Sequence, residues 1–308
     1  MKKRYLLLAT ALIWIGSLNA IFAQSASFSL ISPDARTFAL GGNSAAVISN
    51  AFGFYNNSAS LLFSQNRGAL SASYSSWSPT ASDNSIIAGS GFFKLGEKLA
   101  LSFGYQSFIY NKIDMSDNYG NIIGDFTPKE SLLGVGFSYL IGMNISASAN
   151  VKYISSDIGG PEKGSAVAAD LNLFYTKNSL NLGLTVSNLG SSIDYGNGAY
   201  SLPANVKFGT AYDKKVSDYS SLLFTGQIGM IFSESTFIAG LGMEYAYKEM
   251  LFIRLGGHYG DEELSIPPYV SLGIGVNLIG VNIDLAYLMG KSDSPISNSL
   301  CVALGYNF

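Results

Sequence analysis

Charged side chains are scarce in this chain. Its 308 residues include 18 Lys and Arg and 21 Asp and Glu, so that charged residues make up 13% of the sequence. Soluble domains usually carry about a quarter. The formal net charge is −3. Because a chain without a basic excess lacks the positive surface that attracts phosphate backbones, we expect no nucleic-acid partner.

Cysteine and histidine are almost missing. Cys301 is the single cysteine and excludes an intramolecular disulfide framework. One Cys and one His cannot build an ordinary zinc site. The histidine, His258, lies near Asp261 in the sequence, and a lone His beside loop acids is usually a polar rim residue and not a catalytic base. We therefore expect no enzyme activity, no metal and no cofactor.

Long apolar runs are missing after the first 23 residues. No later stretch holds the ~18 consecutive apolar residues that a membrane-spanning helix needs. Yet hydrophobic residues make up 48% of the chain, and 19 Tyr, 19 Phe and 34 Gly are present. High apolar content without a spanning helix leaves two classes of protein, a soluble β-rich protein and a membrane β-barrel.

Residues 1–23 have the pattern of a secretory signal peptide. A basic start at residues 2–4 precedes an apolar run at residues 5–15, and small residues lead to a cut after Ala23 or, alternatively, Ala20. The short apolar run disfavours an uncleaved anchor. Removal of residues 1–23 moves the formal charge from −3 to −6, because they hold three basic and no acidic residues.

Alternation with period two runs through the rest of the chain and predicts strands with one apolar face. In residues 144–153, Ile145, Ala147, Ala149, Val151 and Tyr153 alternate with Ser146, Ser148, Asn150 and Lys152. About fourteen such segments follow one another: 68–77, 85–95, 98–108, 130–141, 144–155, 165–175, 180–188, 203–213, 220–232, 236–247, 250–258, 268–278, 280–290 and 298–308. Most have nine to twelve residues, the length of a tilted strand that crosses a bilayer, whereas soluble strands average about 5–6.

The connections also alternate between short and long. Short turns are predicted at 96–97, 142–143, 176–179, 214–219, 248–249 and 279, and longer links at 109–129, 156–164, 189–202, 259–267 and 291–297. Short turns on one side, long loops on the other and a terminal aromatic, Phe308, are typical of outer-membrane barrels. We predict an all-β membrane barrel of about 14 antiparallel strands in the cell outer membrane, surrounded by its lipid. A secreted β-sandwich or propeller would have shorter strands and more Lys and Glu.

If the apolar faces meet lipid, the opposite faces line the lumen. This places Lys152, Asp170, Asn172, Lys207, Gln227, Glu244, Arg254, His258, Asn282 and Asp284 inside. These groups either pair with one another or a plug, or line a permeation path. A fourteen-strand lumen is too wide for side chains alone to fill. We therefore expect residues 24–66 to form a short, partly helical hatch inside a barrel of residues 67–308, with Arg36 paired to Asp170, Glu244 or Asp284.

The hatch region resembles a known family. LISPDARTFALGG (30–42) and NAFGFYNNSASLLF (50–63) are similar to the N-terminal region of the PorV/PorQ family, outer-membrane barrels related to the fatty acid transporter FadL. The matching positions are Pro33, Asp34, Ala35, Arg36, Gly41, Gly42, Tyr55, Asn57, Ala59 and Leu61. Asn56 stands where the family commonly has an aromatic, and Ser58 stands where it has Pro. Losing the Pro frees φ and adds an N–H donor, which predicts a looser turn.

The resemblance implies two functions from different classes. The first is a component of the Bacteroidetes type IX secretion system that receives cargo through the C-terminal signal domain of the cargo and passes it to other secretion proteins. The alternative is a FadL-like transporter or channel for hydrophobic small molecules. The long outer loop, residues 109–129, carries apolar residues that form either a partner surface or a lid over the barrel mouth, and the sequence leaves both open.

Overall fold

The computed structural model describes residues 26–79, 83–117, 119–159, 163–196, 198–233, 235–261, 266–292 and 294–308. The predicted signal peptide lies outside these ranges. The strands are β1 Gly68–Trp77, β2 Asn84–Lys94, β3 Leu99–Ile109, β4 Ile113–Ser116, β5 Ile122–Phe126, β6 Lys129–Gly142, β7 Ile145–Asp157, β8 Gly164–Lys177, β9 Leu180–Gly190, β10 Ile193–Asp194, β11 Ala199–Tyr200, β12 Asn205–Ser217, β13 Ser220–Ile231, β14 Thr236–Tyr247, β15 Leu251–Tyr259, β16 Tyr269–Leu278, β17 Val281–Gly290 and β18 Ser299–Asn307.

Fourteen of these strands form one closed antiparallel barrel, in which each strand pairs with the next barrel strand along the chain. β1 closes the barrel on β18, from Ala69 opposite Asn307 to Ser76 opposite Leu300. Closure pairs both edges of every barrel strand, as a bilayer without hydrogen-bonding solvent requires. The predicted fold, a membrane barrel of about fourteen strands, is confirmed. The remaining strands form two small hairpins, β4–β5 and β10–β11.

All connections at one rim are tight. Left-handed backbone at Asn178, Lys248, Glu249 and Ile279 closes three of them, since a two-residue hairpin needs positive φ to follow the strand twist. One predicted link was too long. β12 continues to Ser217, so that its turn to β13 is only two residues and not the predicted 214–219. We call this end, where the chain also enters and leaves the barrel, the short-turn rim, and the opposite end the loop rim.

The two faces of the barrel wall differ as the alternation predicts. In β7, Val151 is 54% exposed, whereas its neighbours Asn150 and Lys152 are 1% and 5% exposed. The outward band is built from Leu, Val, Ile, Phe and Tyr on every barrel strand. A continuous apolar outer surface of this kind is stable only against lipid.

No helix among the described residues is long and apolar enough to cross a membrane.

Residues 26–66, which we call the hatch segment, lie inside the barrel. They form three 3₁₀ helices, Ser27–Leu30, Ala51–Phe54 and Ser58–Phe63, and one short α-helix, Ala35–Ala39, the hatch helix. Near the loop rim, the rings of Phe28 and Phe108 lie 6.5 Å apart and those of Phe38 and Trp77 lie 5.5 Å apart. At the short-turn rim the Lys94 ammonium donates to the carbonyl of Ser64. The segment therefore runs through the lumen from the loop rim to the short-turn rim.

Candidate functional site: the hatch segment and the lumen wall

Asp34 organises the first part of the hatch segment. It is the N-cap of the hatch helix and accepts hydrogen bonds from the backbone N–H groups of Arg36 and Thr37 at 3.2 and 3.3 Å. Its carboxylate also accepts from the Thr37 hydroxyl at 2.7 Å and from the amides of Asn50 and Asn56 at 3.2 Å each. A carboxylate that is 2% exposed needs such a set of donors, since a buried charge without partners is very costly.

The two departures from the family pattern have clear places in this structure. Asn56 donates to Asp34 and Thr37 and accepts from the Ser32 hydroxyl at 2.7 Å. Ser58 is fully buried, and its hydroxyl lies 2.8 Å from the Ser148 hydroxyl and donates to Asn150 at 2.7 Å. An aromatic ring or a proline could make none of these bonds. The turn at Ser58 is thus anchored to the wall by its side chain.

Gly41 and Gly42 end the hatch helix against the wall. Their φ angles are 69° and 77°, the left-handed region in which other residues are strained. The N–H of Gly42 donates to the carbonyl of Thr37 at 3.0 Å and so caps the helix. A Cβ on Gly41 would overlap the backbone of Gly257 in β15. Position 41 therefore requires glycine, because its backbone has a positive φ and packs directly against the backbone of β15.

Tyr55, Asn57 and Ala59 close the hatch segment. The Asn57 side chain accepts from the N–H of Ala59 at 3.1 Å and donates to the carbonyls of Ala45 and Leu173 at 2.7 and 3.1 Å. One amide thus joins two parts of the hatch segment to strand β8. The Tyr55 ring meets Phe54 edge to face at 5.2 Å. Ala59 is fully buried, and its carbonyl accepts from the hydroxyl of Ser146 at 2.7 Å.

Arg36 fastens the hatch helix to the wall by a chain of four charges. Its guanidinium donates to both oxygens of Glu244 at 2.8 Å each and to the carbonyl of Ile48 at 3.0 Å. Glu244 also accepts from Arg254 at 2.6 Å, and Arg254 donates to Asp284 at 2.5 Å. Each of the four charges thus has an opposite charge at hydrogen-bond distance.

The remaining lumen charges behave in two ways. Lys152 pairs with Asp170 at 2.7 Å and donates to Asn188 at 2.5 Å. Lys207, in contrast, makes no ion pair or hydrogen bond within the described ranges of the chain. The structure thus brings Arg36, Glu244, Arg254 and Asp284 together, pairs Lys152 with Asp170, and leaves Lys207 apart.

Two polar wall residues were not singled out by the sequence analysis. Glu130 of β6 accepts from the hydroxyls of Tyr110 and Ser156 at 2.5 and 2.9 Å. Asn188 of β9 accepts from Lys152 and donates to Ser29 of the hatch segment at 3.1 Å. The period-two alternation of β6 could have identified Glu130 as a lumen residue, because Glu130, Leu132 and Ser138 lie on the inward face of that strand.

Two of the cavities among the described residues border the hatch segment. The first is polar, has a volume of about 460 Å³ and opens at the short-turn rim; the charged residues Arg36, Asp213, Glu244, Glu249, Arg254 and Asp284 lie around it. The second lies near the loop rim, between the hatch segment and strands β12 to β16, and has a volume of only about 40 Å³. We call the second one the inner cavity. No group of three or more His, Cys, Asp or Glu in the described part of the chain could hold a metal ion.

The long outer loop, residues 109–129, faces the lumen with some side chains and the solvent with others. Tyr110 points inward to Glu130. The β4–β5 hairpin, by contrast, exposes apolar side chains: Tyr119 is 91% exposed, Ile122 69% and Ile123 67%. Of the two roles predicted for this loop, these exposed side chains favour a partner surface, because a lid would bury them against the barrel mouth.

Comparison with known proteins gives one family and one fold. The family described as type IX secretion system protein PorV matches residues 17–232. No curated protein sequence matches the chain. The toluene transporter TodX of P. putida has a similar structure, with 14% identity, a TM-score of 0.62, and coverage of 88% of this chain and 97% of that chain. The Ralstonia pickettii toluene transporter TbuX has 14% identity and a TM-score of 0.60, with coverage of 90% of this chain and 98% of that chain. A Pseudomonas aeruginosa FadL homologue has 12% identity and a TM-score of 0.52, with coverage of 93% of this chain and 98% of that chain.

Proposed function

The chain belongs to the PorV family of type IX secretion system proteins, and from its structure we propose that it binds exported protein cargo at the cell surface without conducting it. It is an outer-membrane β-barrel component of that system. In this proposal residues 24–66 act as a fixed hatch and residues 67–308 as the barrel that carries the docking loops. The protein does no chemistry on its cargo, and its partners are cargo C-terminal signal domains and other secretion proteins.

The filled lumen is the observation that carries this proposal. Hatch residues such as Asn57, Ser58 and Ala59 are fully buried against the wall. The inner cavity of about 40 Å³ is far smaller than the roughly 150 Å³ cavity that accepts benzene in another protein. A polypeptide, which is much larger, has no room to pass.

The β4–β5 hairpin supplies the docking surface in this proposal. Three large apolar side chains on a loop above the membrane, Tyr119, Ile122 and Ile123, are exposed to water at a free-energy cost of about 25 cal/mol per Å². Exposed apolar patches of this kind mark protein interaction sites. Both hairpin strands also pair only with each other, so each keeps a free edge to which an extended segment of a partner can add.

Small-molecule transport is the alternative function. The structural neighbours TodX and TbuX are toluene transporters, but at 14% identity the likeness extends to the fold alone. A transporter needs an apolar pocket beneath its hatch that fits the solute. The inner cavity is too small for toluene. A larger apolar cavity of about 680 Å³ on strands β12 to β16 has no hatch residue in its lining, so it is not a pocket beneath the hatch, and this favours cargo binding.

The test is a deletion strain complemented with variants. We expect deletion to remove proteins bearing the C-terminal signal from the cell surface. The double variant Ile122→Asn and Ile123→Asn should fail to restore them while the barrel accumulates at the wild-type level. The matched control, Met143→Asn with Ile279→Asn, changes two residues that are 94% and 98% exposed at the short-turn rim, and should restore export.

Two results would contradict the proposal. Normal export from the hairpin variant would show that cargo does not dock on β4–β5. Normal export from the deletion strain, combined with slower uptake of toluene, would favour the transporter.

A further inference from the structure

The inner cavity lies at the seam between the hatch segment and the barrel wall. Thr37, Gly42 and Ser44 line it from the hatch side, and Lys207, Gln227, His258 and Tyr269 line it from four different barrel strands. Apolar side chains, including Phe38, Ile231 and Ile238, complete its walls. It is therefore a small, largely apolar chamber into which a few polar groups converge.

Two of these polar groups have no partner in the described part of the chain. Lys207 makes no ion pair or hydrogen bond. The Tyr269 side chain is 5% exposed, and no hydrogen bond involves its hydroxyl, which would lie 3.3 Å from a Cβ placed on Gly42. The His258 and Tyr269 rings are stacked 5.0 Å apart, which fixes both groups at the cavity.

Among the described residues around the cavity, the charges do not balance. Lys152 and Asp170 neutralise each other at 2.7 Å, and the chain of Arg36, Glu244, Arg254 and Asp284 holds two positive and two negative groups. Lys207 remains as an additional positive charge. Lys207 is only half-buried, but its ammonium lines an apolar cavity without a described counter-ion, and an anion beside it would offset the cost of a charge held away from water.

Of the other polar groups at the cavity, the Tyr269 hydroxyl can assist an anion. A tyrosine hydroxyl donates one hydrogen bond, and that of Tyr269 is free to do so. The His258 ring is already engaged by backbone groups of Gly41 and Ile266 and is not counted as a donor. Gln227 is occupied, because it accepts from the N–H groups of Ser44 and Ala45 at 3.2 and 2.9 Å and donates to the carbonyl of Gly42 at 3.2 Å. Among the described residues, the free groups at the cavity are thus the Lys207 ammonium and the Tyr269 hydroxyl, and no carboxylate lines it.

We propose that the inner cavity binds a small monovalent anion, from chloride to acetate in size, between Lys207 and Tyr269. A cavity of about 40 Å³ has room for roughly three waters, and therefore for a halide or a short carboxylate. Larger anions do not fit. The bound anion touches both the hatch segment and the wall, and so holds residues 37–44 in place. No described residue of the β4–β5 hairpin is among those that line this cavity.

Bromide replaces chloride in the test because it scatters anomalously. The protein is purified from outer membranes in detergent and crystallised with sodium bromide, and we expect an anomalous peak among Lys207, His258 and Tyr269. In solution, sodium chloride should raise the thermal midpoint saturably above that in sodium gluconate at equal ionic strength, because gluconate is too large to enter.

Variants assign the effect to the cavity. Lys207→Met should weaken chloride binding at least tenfold, and Tyr269→Phe, which removes only a hydroxyl, should weaken it several-fold. Lys215→Met is the matched control, since Lys215 lies at the other end of β12, at the short-turn rim, in a surface ion pair with Asp218; it should bind chloride normally. If Lys207→Met does not fold, the chloride affinity of Tyr269→Phe and the bromide peak in the crystal still test the anion site. Absence of the bromide peak, or normal binding by either cavity variant, overturns the proposal.

Discussion

Arg36 of the hatch helix and Glu244 of β14 form a two-bond ion pair inside the barrel, with both N–O distances at 2.8 Å. They are 208 residues apart in the sequence. The pair is largely buried, since the side chains are 21% and 6% exposed. Because water screens it only weakly, we expect it to be the principal electrostatic attachment of the hatch segment to the wall.

Replacement of Arg36 by Ala should loosen the hatch segment. Glu244 keeps Arg254 as a partner at 2.6 Å, so we expect a loss of about 3 kcal/mol, the lower end of the range for breaking a buried pair. Conductance across a planar bilayer should rise, because the segment then leaves the lumen part of the time. Unchanged conductance would show that this pair does not hold the hatch.

A surface pair provides the control for this variant. Lys215 and Asp218 lie 3.1 Å apart and are 72% and 88% exposed, and such exposed pairs contribute about 0–1 kcal/mol. Lys215→Ala should therefore leave both conductance and stability at the wild-type values.

Gly41→Ala should destabilise the protein by more than about 2 kcal/mol, because the φ of 69° is unfavourable for Ala and its Cβ would overlap the backbone of Gly257. Equilibrium unfolding in urea measures this loss. Gly142→Ala is the matched control, since a Cβ there meets nothing within 4 Å. Equal stabilities of the two variants would disprove the close contact between hatch and wall.

Asn56→Asp should destabilise the hatch segment by about 3 kcal/mol or more. It removes a donor to the buried Asp34 carboxylate, 3.2 Å away, and places a second negative charge beside it. The same exchange at Asn121, whose amide donates to the exposed Asp117 at 3.0 Å, should cost less than about 1 kcal/mol because water screens the repulsion. Limited proteolysis of the hatch segment, read by mass spectrometry, distinguishes the two, and similar cleavage in both variants would contradict the role of Asn56.

Val151→Arg should lower the stability of the folded barrel in lipid vesicles by about 2–4 kcal/mol, the cost of Arg on the lipid face at mid-membrane. Met143→Arg, at a turn of the short-turn rim, should cost about 0–1 kcal/mol. Urea unfolding in vesicles measures both changes. If the two variants unfolded alike, Val151 would not face lipid.

Most of the barrel could be predicted from the sequence. All fourteen barrel strands appear within a few residues of the predicted segments, because a wall between lipid and a polar lumen imposes period two on every strand. The boundaries were least accurate at β12, where the strand continues through Lys214 and Lys215 beyond the apolar band. The hairpins β4–β5 and β10–β11 were not predicted, since such short strands carry no periodic signal.

The candidate site was predicted less completely. Alternation placed Lys152, Asp170, Glu244, Arg254 and Asp284 on the inward face, and the resemblance singled out Arg36. Neither the alternation nor the resemblance could decide which of the three carboxylates, Asp170, Glu244 or Asp284, pairs with Arg36. The roles of Asn56 and Ser58 were not predicted either, because each bonds to a residue that is distant in the sequence.

The sequence alone determined the number of strands, their faces and their length, because each depends on local periodicity and on the thickness of the bilayer. Only the tertiary structure decided which inward side chains meet. Contacts across a lumen depend on strand tilt, on the stagger at closure and on the path of the hatch segment, and no local pattern records them. The pairing of Arg36 with Glu244, the position of Lys207 without an ion-pair partner among the described residues, and the small inner cavity all result from that closure.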